Sequence, residues 1–426
     1  MLMKYIFIHE LGVTLSYCLF IRNYFRTTTI KLWGISALLM AMAPAYADQF
    51  DTVNYIGSVG VNYDDNIFRL PSGYDAQTYL GKATKSDLVK VASLGINVDK
   101  KYSNQEIVFN AVGSINQYSN FTNLDNTSSS FTGAWIWQVT PRFSGSLNAT
   151  RTQSLNSPSD TRIFARDLNT TDNAGLNGDW WLHSNWHLLF GVSDGETTNS
   201  ISATNFQNSN NSSREWGVKY DPSNGKSISL IARNLQGNNS NQVPDPVNFL
   251  DTGFNEKQLD LLFSWDINGK SKLSGDLMNV DHQNFHYSQR NYSGNQGGIN
   301  YSLGISGKTS LNMSLQRSFN SWWDPFNSYF ITDSISISPS WQMSSKATLH
   351  MTISQGANDY YGPVVPEAIA RHDTTQSVQM GIDWTPQRAL TISASLQHNQ
   401  RTSTPAYYSG YGFVENSVLV TVQAFF

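Results

Sequence analysis

Residues 191–195, Gly-Val-Ser-Asp-Gly, match the GxSxG pattern that surrounds the nucleophile of many serine hydrolases. That nucleophile needs a strand, a sharp turn and a helix around the serine. Here Leu188, Phe190 and Val192 alternate with other residue types, so Ser193 is predicted to lie inside a continuous strand with no helix after it. A lipase or esterase that acts through Ser193 is therefore kept as a remote alternative.

A second candidate site contains two histidines, because Asp281, His282 and His286 would approach one another on a helix and could ligate a metal. The neighbouring residues instead predict a short loop with solvated histidines. The chain also lacks Walker, dinucleotide-binding, HExxH and paired-carboxylate patterns. We therefore predict no enzyme activity, no cofactor and no metal site.

Charged residues also occur singly in segments that are otherwise rich in Ser, Thr, Asn and Gln. Their signs nearly cancel, whereas a pore that attracts anions would carry charges of one sign, because a charged wall focuses the electric field. Hydroxyl and amide groups suit a neutral hydrated solute such as a sugar chain, but any water-filled lumen also needs polar walls, and both interpretations stay open. The predicted lumen-lining residues are Glu215, Lys219, Arg233, Asp260, Asp276, His350, Asp383 and Arg401.

The composition differs from that of an ordinary soluble domain. Of the 426 residues, 39% are hydrophobic and only 14% are charged, whereas roughly 25% are charged in a typical soluble domain. The net charge of −4 and the absence of a basic stripe exclude nucleic acid as a partner. Cys18 is the only cysteine, and it lies in a segment that we expect to be removed, so the mature protein has no thiol for a disulfide or a zinc site.

The N-terminal region has the features of an export signal. Lys31 precedes an apolar run over residues 32–44, and residues 45–47, Ala-Tyr-Ala, form a small-x-small cleavage site. The run is shorter than the roughly 20 residues of a membrane-spanning helix, although a membrane anchor is the alternative. We predict that residues 1–47 are an N-terminal extension and signal peptide, and that residues 48–426 form one domain.

Beyond residue 47, alternation of apolar and polar residues predicts strands. From Leu390 to Gln397, apolar residues occupy the even positions, and Thr, Ser and Gln occupy the odd ones. Short turn signals rich in Pro, Gly, Asn or Ser recur at intervals of roughly 40 residues. The predicted turns are residues 99–101, 140–142, 183–185, 221–226, 268–270, 306–308, 343–346 and 385–387.

Aromatic residues precede most of these turns, and longer polar stretches separate them, such as residues 155–165, 237–253 and 358–370. An aromatic belt, with short turns on one side and long loops on the other, is typical of an outer-membrane β-barrel. Eight turns join sixteen strands, and a first and a last strand bring the total of antiparallel strands to about 18. The belt residues are Trp135, Trp137, Trp180, Trp181, Trp216, Tyr220, Trp265, Tyr301, Trp341 and Trp384.

The end of the chain predicts how the barrel closes. The final strand has apolar residues at every second position and ends in an aromatic residue, and it pairs with the first strand, residues 53–62, so that no edge remains. A barrel of this size encloses a pore or a plugged pore, and the connection over residues 63–87 is the candidate constriction. The C-terminal signal for assembly is predicted to comprise Val418, Val420, Val422 and Phe426.

The segment that leaves the first strand, residues 61–70 (VNYDDNIFRL), resembles the opening signature of the EpsL family. Its members are predicted outer-membrane β-barrels encoded with exopolysaccharide biosynthesis and export genes, often beside PEP-CTERM/exosortase systems. The resemblance implies a role in carrying exopolysaccharide across the outer membrane. The polar residues of the motif could bind a cation or form an Asx turn, and we favour the turn. The motif residues are Asp64, Asp65, Asn66, Ile67, Phe68 and Arg69.

These features lead to one main hypothesis and two alternatives. The main hypothesis is an outer-membrane pore that takes part in exopolysaccharide biosynthesis by export or secretion of the polymer. The alternative is a general diffusion porin for small solutes, and the remote alternative is the outer-membrane lipase. The expected partners are outer-membrane lipid and lipopolysaccharide, the barrel assembly machinery, a polysaccharide chain and periplasmic export components. The expected location is the bacterial cell outer membrane.

Overall fold

A computed structural model describes residues 52–157, 163–222, 224–239, 241–321, 327–362 and 369–426. In this part of the chain, eighteen antiparallel strands form one sheet, and the last strand pairs with the first. The prediction of a closed barrel of 18 strands is therefore confirmed. The predicted signal peptide lies outside the described residues, so the boundary at residue 47 stays a prediction.

The strands follow one another around the barrel in sequence order. They are β1 (Val53–Asp64), β2 (Asp87–Tyr102), β3 (Gln105–Tyr118), β4 (Asn126–Thr140), β5 (Phe143–Leu155), β6 (Leu168–His183), β7 (Trp186–Asn199), β8 (Ser209–Tyr220), β9 (Lys226–Asn238), β10 (Gly253–Asn268), β11 (Ser271–Asn284), β12 (Tyr292–Gly304), β13 (Thr309–Ser321), β14 (Tyr329–Ser344), β15 (Ala347–Tyr361), β16 (His372–Gln387), β17 (Leu390–Thr404) and β18 (Phe413–Phe425).

Short helical segments lie in the connections between strands. One is the α-helix α1 (Ala76–Leu80), and the others are the 3-10 helices Thr122–Leu124, Ser202–Gln207, Ser288–Arg290 and Ala406–Tyr411. Among the described residues, no helix is both long enough and apolar enough to cross a membrane.

Each strand has an apolar face and a polar face, because neighbouring side chains point to opposite sides of the sheet. The pairing register continues the apolar face from Leu396 of β17 onto Met380 of β16 and Val418 of β18. These side chains are exposed, and Leu396 is 57% exposed. Lipid covers such a surface, so the protein is an outer-membrane β-barrel whose polar face surrounds the lumen.

The height of the apolar outer face differs around the barrel. On β1 it runs from Val53 to Tyr63, whereas on β8 it runs only from Trp216 to Tyr220, and Arg214 takes the next outward position. With a rise of about 3.3 Å per residue and a strand tilt of about 40°, these heights are about 25 Å and about 10 Å. The apolar band is therefore tall at the closure of the barrel and low at β8.

The aromatic belt lies beside the short turns, as predicted, with one exception. Trp135, Trp216, Trp265 and Trp384 are exposed on the apolar face close to these turns. Trp181 has the parity of the polar face, and its ring stacks with that of His187 at 6.4 Å between centroids. Trp181 was wrongly assigned to the belt, because two consecutive strand residues cannot face the same side.

Six of the eight predicted turns occupy the expected positions, and two are displaced along the chain. The first turn consists of Ser103 and Asn104, because residues 99–101 continue β2. The last turn consists of Arg388 and Ala389, because residues 385–387 still belong to β16. The pairing of β16 with β17 shifts at this point, which accommodates Pro386, a residue that cannot donate a hydrogen bond to the ladder.

At the other end of the barrel, the connection between β1 and β2 packs on its neighbours. Phe68, Leu70, Phe121 and Leu124 form a buried group that we term the outer cluster. The rings of Phe68 and Phe121 meet edge to face, with 5.0 Å between centroids. The cluster joins the β1–β2 connection to the β3–β4 connection above the sheet.

Buried aspartates at the start of strands hold these connections in place. Asp87, the first residue of β2, accepts hydrogen bonds from the backbone N–H groups of residue 88 and of residues 119–121. Asp251 likewise accepts hydrogen bonds from the backbone N–H groups of residues 252, 286 and 287. Asp167 accepts a hydrogen bond from the backbone N–H group of Ser200. Each carboxylate thus supplies hydrogen-bond acceptors to backbone N–H groups at the strand ends and in the adjoining connections.

Candidate functional site

The motif that resembles the EpsL signature ends β1 and fastens it to β18. The Asn66 N–H group donates to Asp64 Oδ1 over 2.8 Å, which forms an Asx turn. Arg69 Nη1 donates to Asp64 Oδ2 over 2.7 Å, and Arg69 Nη2 lies 3.8 Å from Glu415 Oε1 of β18. A guanidinium group therefore occupies the position that a bound cation would take between these carboxylates.

The other motif residues also make packing and pairing contacts. Asp65 accepts hydrogen bonds from the backbone and side-chain N–H groups of Asn416. Ile67 packs against the outer cluster, to which Phe68 belongs. These contacts give the motif a structural role at the closure between β1 and β18, and the resemblance to the EpsL family stays a prediction.

The pairing register places all eight predicted lumen-lining residues on the polar face of the sheet. Five lie on β8 to β11, and His350, Asp383 and Arg401 lie on β15 to β17. The described strands β4, β5 and β12 to β14 carry no charge on this face. Charge therefore occurs in two regions of this face: β15 to β18 with β1 to β3, where Asp99, Glu106, Asp383 and Glu415 have the polar parity, and β6 to β11, which we term the charged wall. It consists of the polar-face residues Asp179, His187, Glu215, Lys219, Arg233, Glu256, Asp260, Asp266, Lys272, Asp276 and His282 of β6 to β11.

Six members of the charged wall are absent from the predicted lumen-lining residues, although their spacing could have found them. They are the acids Asp179, Glu256 and Asp266, the base Lys272, and the histidines His187 and His282. On its own strand, each of them is an even number of positions from another residue that faces the lumen. The prediction that the signs nearly cancel is thereby corrected, because the charged wall holds six acids and three bases.

One hydrogen-bonded chain of polar groups crosses the middle of the charged wall. Arg233 Nε donates to Glu215 Oε2 over 2.7 Å, and Arg233 Nη1 donates to Gln258 Oε1 over 2.7 Å. Gln258 Nε2 donates to Glu256 Oε1 over 2.5 Å, and Glu256 Oε2 lies 2.8 Å from His282 Nδ1. The guanidinium group is thus held by partners on both adjoining strands.

The two lysines of the charged wall also have acidic partners. Lys219 Nζ lies 3.0 Å from Asp179 Oδ2, and the other oxygen of Asp179 lies 2.6 Å from His187 Nδ1. Lys272 Nζ lies 3.8 Å from Asp266 Oδ1, close to the turn between β10 and β11. All three bases of the charged wall therefore contribute to ion pairs.

Asp260 and Asp276 are the two acids of the charged wall that form no ion pair. Asp260 is 4% exposed, and its Oδ1 atom is buried without a hydrogen-bond partner. Asp276 forms no ion pair within the described ranges. Both residues lie near the middle of their strands, and Asp276 Oδ1 is next to Gly298, which has no side chain to cover it.

The predicted charged residues of β15 to β17 are occupied by local contacts. His350 Nδ1 lies 3.4 Å from Asp383 Oδ2, and Ser393 Oγ donates to Asp383 Oδ1 over 2.6 Å. Arg401 Nε donates to the carbonyl oxygen of Tyr411 over 2.8 Å. Arg401 thus supports the connection that leads to β18.

Ser193 lies within β7, as the alternation predicts. Its Oγ atom is 2.7 Å from Ser213 Oγ of β8. The chain continues as a strand on both sides of Ser193, so it lacks the turn and helix of a nucleophile elbow. The arrangement gives no support to a hydrolase site at Ser193.

The predicted loop at the two histidines is partly wrong. Asp281 and His282 belong to β11, and His282 is 2% exposed rather than solvated, since its ring packs between Phe254 and Tyr292. The alternation of this segment was masked by its polar residues, so that it was mistaken for a loop. In the part of the chain that the structure describes, no group of three or more His, Cys, Asp or Glu residues could hold a metal ion.

No protein-family model and no curated protein matches the chain. Similar solved structures include OpdK of Pseudomonas aeruginosa, determined with vanillate, which is 10% identical with a TM-score of 0.48 over 88% of this chain and 99% of that chain. OccAB4 of Acinetobacter baumannii is 9% identical with a TM-score of 0.46 over 89% of this chain and 99% of that chain. The siderophore receptor PirA of Pseudomonas aeruginosa is 11% identical with a TM-score of 0.43 over 88% of this chain and 80% of that chain.

At these identities the similarities concern the barrel fold. The prediction that this protein exports exopolysaccharide is corrected, because the structures found are outer-membrane porins and a siderophore receptor rather than exopolysaccharide proteins. The prediction rested on a short motif, and the structure accounts for that motif by the Asx turn and the contacts between β1 and β18.

Proposed function

We propose that this protein is a non-enzymatic diffusion pore for small polar solutes in the outer membrane. The observation that carries the proposal is the register of the closed sheet, which turns Ser, Thr, Asn and charged side chains of eighteen strands towards one interior. A barrel of 16 to 18 strands is wide enough to enclose an aqueous channel. We propose the β1–β2 connection, which carries part of the outer cluster, as the constriction of this channel.

Polar walls lower the cost of moving a hydrated solute through the barrel, because hydroxyl and amide groups replace part of its hydration shell. Strands β12 to β14 supply a continuous uncharged polar surface, with residues such as Asn300, Asn312 and Ser338. The charged wall supplies ionic groups on another part of the same surface. A small solute in the pore therefore meets an uncharged polar surface on one side and the charged wall on another.

The proposal is tested with purified full-length barrel in planar lipid bilayers and in vesicles. We expect steady ionic conductance, and swelling of the vesicles in solutions of monosaccharides that slows as the sugar becomes larger. Vesicles with a denatured sample of the same protein are the control for leakage. A folded barrel that conducts no ions and admits no sugar would contradict the proposed function.

A further inference from the structure

The charge of the charged wall is unbalanced at its centre. Arg233 is paired with Glu215, and the two lysines are paired near the turns with Asp179 and Asp266. Asp260 and Asp276, on the adjacent strands β10 and β11, form no ion pair with any residue that the structure describes. Paired charges largely cancel at a distance, so these two carboxylates dominate the electric field in the middle of the lumen.

The register brings the two carboxylates together. Asp260 is opposite Met278, and Leu262 is opposite Asp276, so the two acids are diagonal neighbours on one face. Such neighbours are about 7 to 8 Å apart. This separation leaves room for a positively charged group between them.

The unpartnered atom of Asp260 points to a missing donor. Buried carboxylate oxygens nearly always accept hydrogen bonds, and an unsatisfied one is costly. Asp260 Oδ1 is such an atom, in a residue that is 4% exposed. Arg233 does not fill this role, because its guanidinium group is committed to Glu215 and Gln258.

We infer that Asp260 and Asp276 form a subsite in the lumen for small solutes that carry a protonated amine or guanidinium group. This inference rests on the proposed pore function. An N–H donor of the solute bonds Asp260 Oδ1, and its positive charge is shared with Asp276. Met278, Leu262 and Ile231, which lie beside the acids on the same face, contact the aliphatic part of the solute.

The first test measures the reversal potential of the pore in a KCl gradient. We expect the native protein to prefer K⁺ to Cl⁻, with a permeability ratio on the order of 3 to 10. Asp260→Asn and Asp276→Asn each lower the ratio, and the double variant brings it close to unity. Asp281→Asn is the matched control, because Asp281 lies on β11 but faces outwards, and it leaves the ratio unchanged.

The second test adds arginine methyl ester to the native pore and to the variants. We expect a concentration-dependent decrease of the K⁺ current in the native protein and a much weaker decrease in the double variant. Each variant is first tested for the heat-dependent gel mobility of a folded barrel. Should Asp260→Asn fail to fold, Asp276→Asn carries the comparison, since its side chain is more exposed.

The outcomes separate the inference from the function on which it rests. A conducting pore that has no cation preference, or whose preference survives in the Asn variants, overturns the subsite and leaves the pore intact. A folded barrel without any conductance overturns the pore and the subsite together. A cation preference that falls in the lumen variants and not in Asp281→Asn supports the subsite.

Discussion

Single buried carboxylates hold the outer connections in place through several hydrogen bonds each. Asp251 has no exposed surface and accepts hydrogen bonds from the backbone N–H groups of residues 252, 286 and 287 and from the His286 ring. Burial raises the pKa of Asp251, but the hydrogen bonds from His286, Tyr287 and Thr252 outweigh it and hold the pKa below its usual value. The connection between β11 and β12 is therefore stabilised by an ionised carboxylate.

The stabilisation by Asp251 decreases as the pH falls. The pKa of Asp251 is lowered in the folded protein, so the stabilisation is fully present above the unfolded pKa of about 3.9 and is lost as the pH falls through the lower folded value. We expect the amides of His286 and Tyr287 to lose protection from hydrogen exchange below about pH 4. The loss of protection is measured as the hydrogen-exchange rate of each amide, after correction for the intrinsic dependence of exchange on pH.

The Asp251→Asn variant is the control for this prediction. Its side chain cannot ionise, so the protection of the two amides should be lower than in the native protein and nearly independent of pH. Native protection that stays constant down to pH values well below the usual range of an aspartate would contradict the assignment. The amides within β11 serve as an internal standard, because strand pairing protects them.

The sequence allowed the prediction of some residues of the site but not of their contacts. Alternation and turn positions place Glu215, Arg233 and Asp260 on one face, because the parity of a strand residue fixes its side. The absence of a partner at Asp260 depends on side-chain geometry across three strands. His282 was missed as a buried residue because its burial comes from rings of two neighbouring strands.

Among the structural elements, the pair of β1 and β18 has a particular task, since it joins the two ends of the sheet. Nine register pairs, from Ile56 with Phe425 to Asp64 with Ser417, connect the two strands. The motif after β1 extends this connection, because Arg69 lies close to Asp64 and to Glu415. The closure is thus reinforced at its outer end by one guanidinium group between two buried acids.

Arg69→Ala should weaken the closure. It leaves Asp64 and Glu415, both nearly inaccessible to solvent, as two like charges without their base. Removal of one member of a buried ion pair costs about 3 kcal/mol of unfolding free energy. The measurement is the urea-induced unfolding of the barrel in phospholipid vesicles.

Arg69→Lys is the matched variant for the closure. A lysine keeps the positive charge but loses the planar pair of donors, so it should restore part of the lost stability. If Arg69→Ala unfolds at the same urea concentration as the native barrel, the contacts with Asp64 and Glu415 do not stabilise the closure.

At the scale of the whole molecule, the fold rests on the opposite chemistry of the two sheet faces. Leu261 of β10 faces outwards between Leu230 and Leu277, whereas Leu262 faces the lumen between Ser229 and Asp276. The same residue type therefore meets lipid at one position and a polar interior at the next.

Arginine substitutions at these two positions should have different effects. Leu261→Arg places a charge in the lipid and should cost about 2 to 4 kcal/mol of unfolding free energy. Leu262→Arg places the same group in the lumen, beside an acid, and should cost much less. Urea unfolding of both variants in phospholipid vesicles makes the comparison, and equal losses would show that the two faces are wrongly assigned.

Most of the fold could be predicted from the sequence, because its periodicity is local. Alternation gives the strands, Pro and Gly mark the turns, and the closing strand follows from its apolar face and terminal aromatic residue. The shifts of the turns at Ser103 and Arg388 escaped prediction, because strand ends depend on the partner strand. The function was predicted less well. The export hypothesis rested on a short motif, and the contacts of that motif belong to the closure of the barrel.

The unequal height of the apolar outer face has a consequence for the surrounding bilayer. At a strand tilt of about 40°, the apolar band is about 25 Å high at β1 and about 10 Å high at β8. Lipids beside β8 and Arg214 must shorten or tilt their acyl chains to avoid contact with charge, or the barrel axis must incline. With an upright axis, short-chain or disordered lipids collect along this flank, and with an inclined axis the barrel crosses the bilayer obliquely. In both cases its flanks are not equivalent neighbours for other membrane proteins.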